Sequence, residues 1–103
     1  MRYILSVSSR AVHGREDEYD AWYEDIHAPD VIALPGFLSC ERFRQLDMEG
    51  KETGEFIAHY TVETDDPAAL LQGLFAAAPR MRMTDAIDRE SPRFTFLRPR
   101  DGC

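Results

Sequence analysis

Tyr23, His27 and Asp30 bring a phenol, an imidazole and a carboxylate into one short stretch of the chain. An imidazole takes or gives a proton near pH 7. Tyr23 precedes His27 by one helical turn, so both side chains reach the same end of a cleft, the phenol donating a hydrogen bond and the imidazole accepting a proton. Such a pair polarises a carbonyl and removes an adjacent proton. Asp30 can orient His27 as a carboxylate orients the base of a hydrolytic triad. These three are the candidate catalytic residues. The same histidine has a second reading. Followed by Ala28-Pro29, it can cap a helix C-terminus, its ring bonding free carbonyls or the Asp30 carboxylate; Asp30 reads equally well as a solvated cap.

Five aromatic residues are candidates for substrate binding: Trp22, Tyr60, Phe56, Phe94 and Phe96. They would make a cleft apolar and aromatic, suited to a hydrophobic or aromatic small molecule. Core packing accounts for the phenylalanines equally well, and for Trp22 and Tyr19 it is the commoner role. Tyr60 and His59 are adjacent on a strand and point to opposite faces, so only one of them joins His27. Tyr60 shares the apolar face, which leaves His59 for a dimer interface or a sheet edge.

The elements that must position these residues follow from periodicity and punctuation. Tyr3 to Ser9 alternates Tyr3, Leu5, Val7 with Ile4, Ser6, Ser8, the signal of a first strand. A loop over Arg10 to Arg15 precedes Glu16, Asp17, Glu18 and Asp20, acids that favour a helix N-terminus. Tyr19, Trp22, Tyr23 and Ile26 then share one helical face. Pro29 removes a donor and disfavours helical geometry at Ala28, so the helix should end or kink near His27, with a short turn over Asp30 to Leu34. Phe37 to Leu46 and Glu55 to Glu63 read as two strands, joined by a hairpin loop over Asp47 to Gly54. Asp65-Asp66-Pro67 caps a helix over Ala68 to Ala78, which Pro79 stops. A polar connection leads to a last strand, Arg93 to Arg98, and a frayed tail, Pro99 to Cys103. The order β-α-β-β-α-β is the split βαβ arrangement, an α+β ferredoxin-like monomer in which two helices cover one face of a four-stranded antiparallel sheet. The chain is one domain over residues 1–103. The second sheet face is half apolar and needs a partner, and a homodimer joined sheet to sheet is the economical answer.

Composition excludes several classes. The 103 residues are 44% hydrophobic and 30% charged, a globular composition. No run approaches the length of a membrane span, and the polar residues after Tyr3-Ile4-Leu5 leave no signal-peptide core, so a cytoplasmic protein without membrane contact is expected. A net charge of −7 repels phosphate backbones, and nucleic acid is a poor partner. Gly54-Glu55-Phe56-Ile57-Ala58-His59-Tyr60 lacks the basic and glycine positions of an RNA-recognition strand. No phosphate-cradling glycine motif occurs. His13, His27 and His59 have no metal-ligand spacing, and Cys40 and Cys103 read as ordinary thiols, so no metal is expected. Arg80, Arg82, Arg89 and Arg93 could fix a substrate carboxylate, although a solvated surface explains them better.

The run Trp22-Tyr23-Glu24-Asp25-Ile26-His27-Ala28-Pro29-Asp30, followed by Leu34-Pro35-Gly36-Phe37, has the pattern W-Y-x-x-x-H-x-P-[DE]-x(4)-P-G-F between a first and a second strand. It resembles the EthD-like branch of the dimeric α+β barrel superfamily, with Trp22 to Phe37 the specific part and the remainder agreeing in topology. The resemblance implies a homodimer whose sheets pack into a barrel, with a cleft between each sheet and its own helices. It implies no single reaction, because members of the superfamily include cofactor-free oxygenases, lactone isomerases, polyketide cyclases and haem-degrading enzymes. Haem on one axial histidine is the cofactor the resemblance leaves open, and none is expected here. Two functions follow. One is a small cofactor-independent enzyme performing His27-assisted proton transfer on a hydrophobic or aromatic carbonyl compound, as in cyclisation, isomerisation or oxygenation. The other is a non-catalytic small-molecule-binding or stress-associated homodimer with His27 as a helix cap.

Overall fold

Strand β1, Arg2–Arg10, places Leu5, Val7 and Ser9 in the interior and leaves Ile4, Ser6 and Ser8 half-buried on the other side. This first element opens a computed structural model that describes residues 1–100; the end of the expected frayed tail, Asp101 to Cys103 with its thiol, lies outside the described residues. Helix α1, Glu16–Trp22, begins with Glu16, Asp17 and Glu18 in its first turn, where the helix dipole favours negative charge. A π-helical turn, Tyr23–His27, and a short helix α2, Ala28–Ile32, continue the same rod.

This continuation corrects the expectation that the helix ends near His27. The N–H of Ala28 donates to the carbonyl of Tyr23, five residues back instead of four. A proline in an α-helix lacks its N–H, and its ring meets the carbonyl four residues earlier. One widened turn just ahead of Pro29 absorbs that conflict without ending the helix. The chain leaves α2 through Gly36, whose φ of +88° suits glycine and whose missing side chain would stand 2.6 Å from Leu70 Cδ1.

Strand β2, Phe37–Leu46, pairs with β3, Glu52–Glu63. The hairpin loop is shorter than expected and β3 starts at Glu52, not Glu55. Asp47 closes the turn, its Oδ1 accepting from the N–H groups of Glu49 at 2.8 Å and Lys51 at 3.0 Å. Helix α3, Pro67–Ala77, is capped by Asp66, whose Oδ1 accepts from Ala69 N–H at 3.1 Å, and Pro79 lies in the single 3₁₀ turn Ala78–Arg80 that ends it. Strand β4, Arg93–Leu97, is one residue shorter than expected.

The sheet order is β2-β3-β1-β4, antiparallel throughout, with the helices on one face. Leu5, Tyr60 and Val62 from the sheet pack against Tyr19 and Val31 as the most buried large side chains. On the open face Ile4, Ile57 and Thr61 are half-buried, while Phe43 and Leu97 are 42% and 41% exposed. His59 lies on this face against the Phe43 ring, centroids 5.1 Å apart, on an inner strand and not at an edge. No helix among the described residues is long and apolar enough to cross a membrane.

Candidate functional site

Between the sheet and its helices lies a cavity of about 140 Å³. Val7, Tyr60 and Phe94 form its floor, the π-turn region supplies Trp22, Tyr23 and His27, and Leu74 and Phe75 come from α3. A protein cavity of roughly 150 Å³ holds one benzene molecule. The space therefore suits about one ring and not a porphyrin, so the residues present do not fit haem. Not one lining side chain is an Asp, Glu, Lys or Arg.

The π-turn arranges three rings. His27 stacks on Trp22 with centroids 4.6 Å apart and planes 18° from parallel, and it meets Tyr23 edge to face at 4.9 Å. Trp22 is fixed by its indole N–H, which donates to the Arg82 carbonyl at 2.8 Å. This packing leaves His27 Nδ1 buried and without a hydrogen-bond partner, which makes it unique among the buried side-chain nitrogens and oxygens of the described residues. Burial lowers the His27 pKa to about 4; the Arg42 cation acts in the same direction and the Asp30 carboxylate opposes it. The imidazole is neutral at pH 7.

The hydroxyls near it pair with one another. Tyr23 and Tyr60 share a hydrogen bond of 2.7 Å, and Ser9 shares one with Tyr19. Burial raises the pKa of all three phenols, so they remain protonated donors. The Arg42 guanidinium lies 4.6 Å from the Tyr23 ring centroid and is held by Asp20 at 2.7 Å and Glu24 at 3.1 Å. Its cation is thus neutralised behind the ring rather than offered to a ligand.

The structure brings His27, Tyr23, Trp22, Tyr60 and Phe94 together around the cavity. It brings Asp30 within electrostatic reach of His27 but gives the two no hydrogen bond. The Asp30 carboxylate is taken by Arg82 in a two-pronged ion pair, at 2.5 and 3.2 Å, which also lowers its pKa. The orienting role for Asp30 therefore has no hydrogen bond behind it. The capping role for His27 fails as well, because the helix runs on to Ile32 and leaves no terminal carbonyls beside the ring. Phe56 packs on Tyr19, centroids 5.3 Å apart, and is core. Phe96 lies against the same core, off the cavity wall.

Sequence reasoning missed the segment 81–92, read only as a polar connection. It is a strap across the cavity, lining it with Met81, Met83 and Ile87. Backbone bonds hold it to the loop after β1, from Val12 N–H to the Ala86 carbonyl at 2.6 Å and from Asp88 N–H to the Arg10 carbonyl at 2.9 Å. Asp30 and Arg82 clasp one end, and Arg15 and Asp85, 2.8 Å apart, secure the middle. The alternation Met81-Arg82-Met83 is the one signal that pointed inward. Among the described residues no three His, Cys, Asp or Glu side chains converge on a metal position.

Comparison with known proteins places this geometry in context. A family model described as "Domain of unknown function (DUF4286)" matches residues 2–85. A crystal structure of an ethyl tert-butyl ether d (EthD) family protein from Bacillus halodurans C-125 is similar with a TM-score of 0.69 at 17% identity, covering 97% of this chain and 100% of that one. No curated protein matches. The fold of that structure is the four-stranded, two-helix arrangement described above, and it was legible in the Trp22 to Phe37 pattern. With most of its length matched by that model, the chain belongs to the DUF4286 family and has the EthD-like α+β fold.

Proposed function

We propose that this protein is a small enzyme that binds an apolar or aromatic carbonyl compound in the cavity and moves a proton on it with the help of His27 and Tyr23. The observation that carries the reading is a neutral imidazole in the wall of an otherwise uncharged aromatic cavity, with no protein group bonded to it. A neutral imidazole with no protein partner on either ring nitrogen is uncommon in folded proteins and supports a role in ligand contact. Trp22 and Phe94 offer ring surfaces to the substrate, and the Tyr23–Tyr60 pair supplies a second polar point. A second copy of the chain covering the open sheet face, where Phe43 and Leu97 are exposed, completes the proposed assembly.

Acetophenone, a neutral one-ring ketone, is the probe. In deuterated buffer the protein should accelerate deuterium incorporation into the methyl group beside the carbonyl above the buffer rate, with the displaced proton passing to solvent. His27→Ala should lose most of that acceleration while keeping the wild-type circular dichroism spectrum. One observation favours a second reading, a binding protein without turnover: an imidazole with a pKa of about 4 is a weak base at pH 7. Saturable binding of acetophenone with no exchange above background would establish it.

A further inference from the structure

Resting on that reading of the cavity, we infer that His27 meets its ligand as a neutral Nε2–H donor, and that the ligand is an uncharged carbonyl compound whose oxygen accepts from it. Nδ1 is buried with no hydrogen-bond partner, and Nε2 is neither fully buried nor hydrogen-bonded within the protein. A neutral imidazole carries one proton, and its position decides which nitrogen donates.

Placing the proton on Nδ1 would bury an N–H with nothing to receive it, while an acceptor lone pair is the group that folded proteins leave unpaired more readily. Placing it on Nε2, the tautomer that free neutral histidine also prefers, gives the proton to the nitrogen that is not sealed inside the protein, on a side chain that lines the cavity. No neighbour restores the alternative. Asp30, the one carboxylate close enough in sequence to hold Nδ1–H, is bound to Arg82. The flanking Trp22 indole N–H is a donor and cannot accept from Nδ1–H, and the Tyr23 hydroxyl is paired with Tyr60. The three-ring cage fixes the plane of the imidazole, so the donor has a set direction.

The class of ligand follows from the same walls. A donor on the ring calls for an acceptor on the ligand. With no charged side chain lining the cavity, a carboxylate or phosphate would enter without a counter-charge and lose its hydration. Arg42, the nearest cation to Tyr23, is already paired with Asp20 and Glu24. An uncharged ketone, aldehyde, lactone or quinone of about one ring satisfies the donor, the size and the lack of charge together. A neutral imidazole N–H can polarise such a carbonyl without being protonated itself. This makes His27 a polarising donor rather than the base that its residue type first suggests.

The test is ¹⁵N NMR of the histidine ring at pH 7, assigned with His27→Ala, followed by titration of two probes. The protonated signal should be Nε2 and the unprotonated one Nδ1, and acetophenone should shift the Nε2 signal saturably while benzoate binds at least tenfold more weakly. His27→Gln, whose amide N–H lies near the Nε2 position, should keep acetophenone affinity within about threefold; His27→Asn, whose amide lies near Nδ1, should lose tenfold or more. Acetophenone binding to a ring protonated at Nδ1 would overturn this inference and leave the wider reading standing. Benzoate binding as well as acetophenone overturns the uncharged class. Failure of acetophenone to bind at all defeats the reading of the cavity itself.

Discussion

At the scale of single residues, two polar features of the cavity have measurable costs. Protonating His27 in the folded protein means charging a group that burial keeps neutral. Its pKa is about 4 folded against 6.5 in the free side chain, so the unfolded chain binds the extra proton first as pH falls. Above pH 6.5 the residue contributes no pH dependence; between 6.5 and 4 it destabilises the fold progressively, by about 3 kcal/mol at the low end. Thermal melts of the wild type and His27→Gln across pH 7 to 4 should show the variant losing less stability on acidification, with Asp30 and Arg42 unchanged in both. The Tyr23–Tyr60 bond gives a second expectation. Tyr60→Phe leaves the Tyr23 hydroxyl buried without its partner and should cost about 1–3 kcal/mol in urea unfolding, while the double Tyr23→Phe, Tyr60→Phe variant should cost less than the sum of the single changes. His27, Tyr23 and Tyr60 were legible in the sequence because spacing and strand alternation alone place them together. Asp30 was misread because sequence spacing could not reveal Arg82, fifty-two positions away, as the stronger claimant on its carboxylate.

At the scale of elements, periodicity and capping chemistry located the four strands and helices α1 and α3, while α2 was expected only as a short turn, and the errors fall where those rules do not reach. The α-helical rule for Pro29 is sound, but it does not include a turn that widens to meet the proline. That widening matters to the site, since Tyr23–His27 is the segment whose rings build the cage. The strap was hard to read for another reason: Met81, Met83 and Ile87 face the cavity from irregular backbone, and exposed Asp85 breaks the alternation that Met81-Arg82-Met83 begins. Arg82 joins the strap to α2 through Asp30 and to Trp22 through its carbonyl. Arg82→Ala should therefore raise amide hydrogen exchange across residues 81–87 while leaving exchange in β1 and β3 unchanged, as mass spectrometry of deuterated peptides can show. Asp66→Ala removes a cap and should cost about 1 kcal/mol in the same unfolding assay without altering probe binding.

At the scale of the whole molecule, the two faces of the sheet divide the work. One face holds the aromatic cavity under the helices; the other leaves Phe43, Leu97, Ile4 and Ile57 without cover from the chain itself. The proposed second copy on that face predicts a dimer in sedimentation velocity at micromolar concentration, and a shift toward monomer in Phe43→Lys, which places a charge among its exposed apolar residues. A wild-type monomer would refute the dimer while leaving the cavity, which lies under the helices on the opposite face of the sheet, standing.

The central claim, a small uncharged carbonyl compound bound in this cavity, is tested most directly through the four methionines. Met81 and Met83 line the cavity, whereas Met1 and Met48 lie on the surface away from it. In a ¹³C-methyl methionine spectrum titrated with acetophenone, the account predicts saturable movement of the Met81 and Met83 signals with Met1 and Met48 unmoved. Four stationary signals, or a Met48 shift as large as that of Met83, would contradict it.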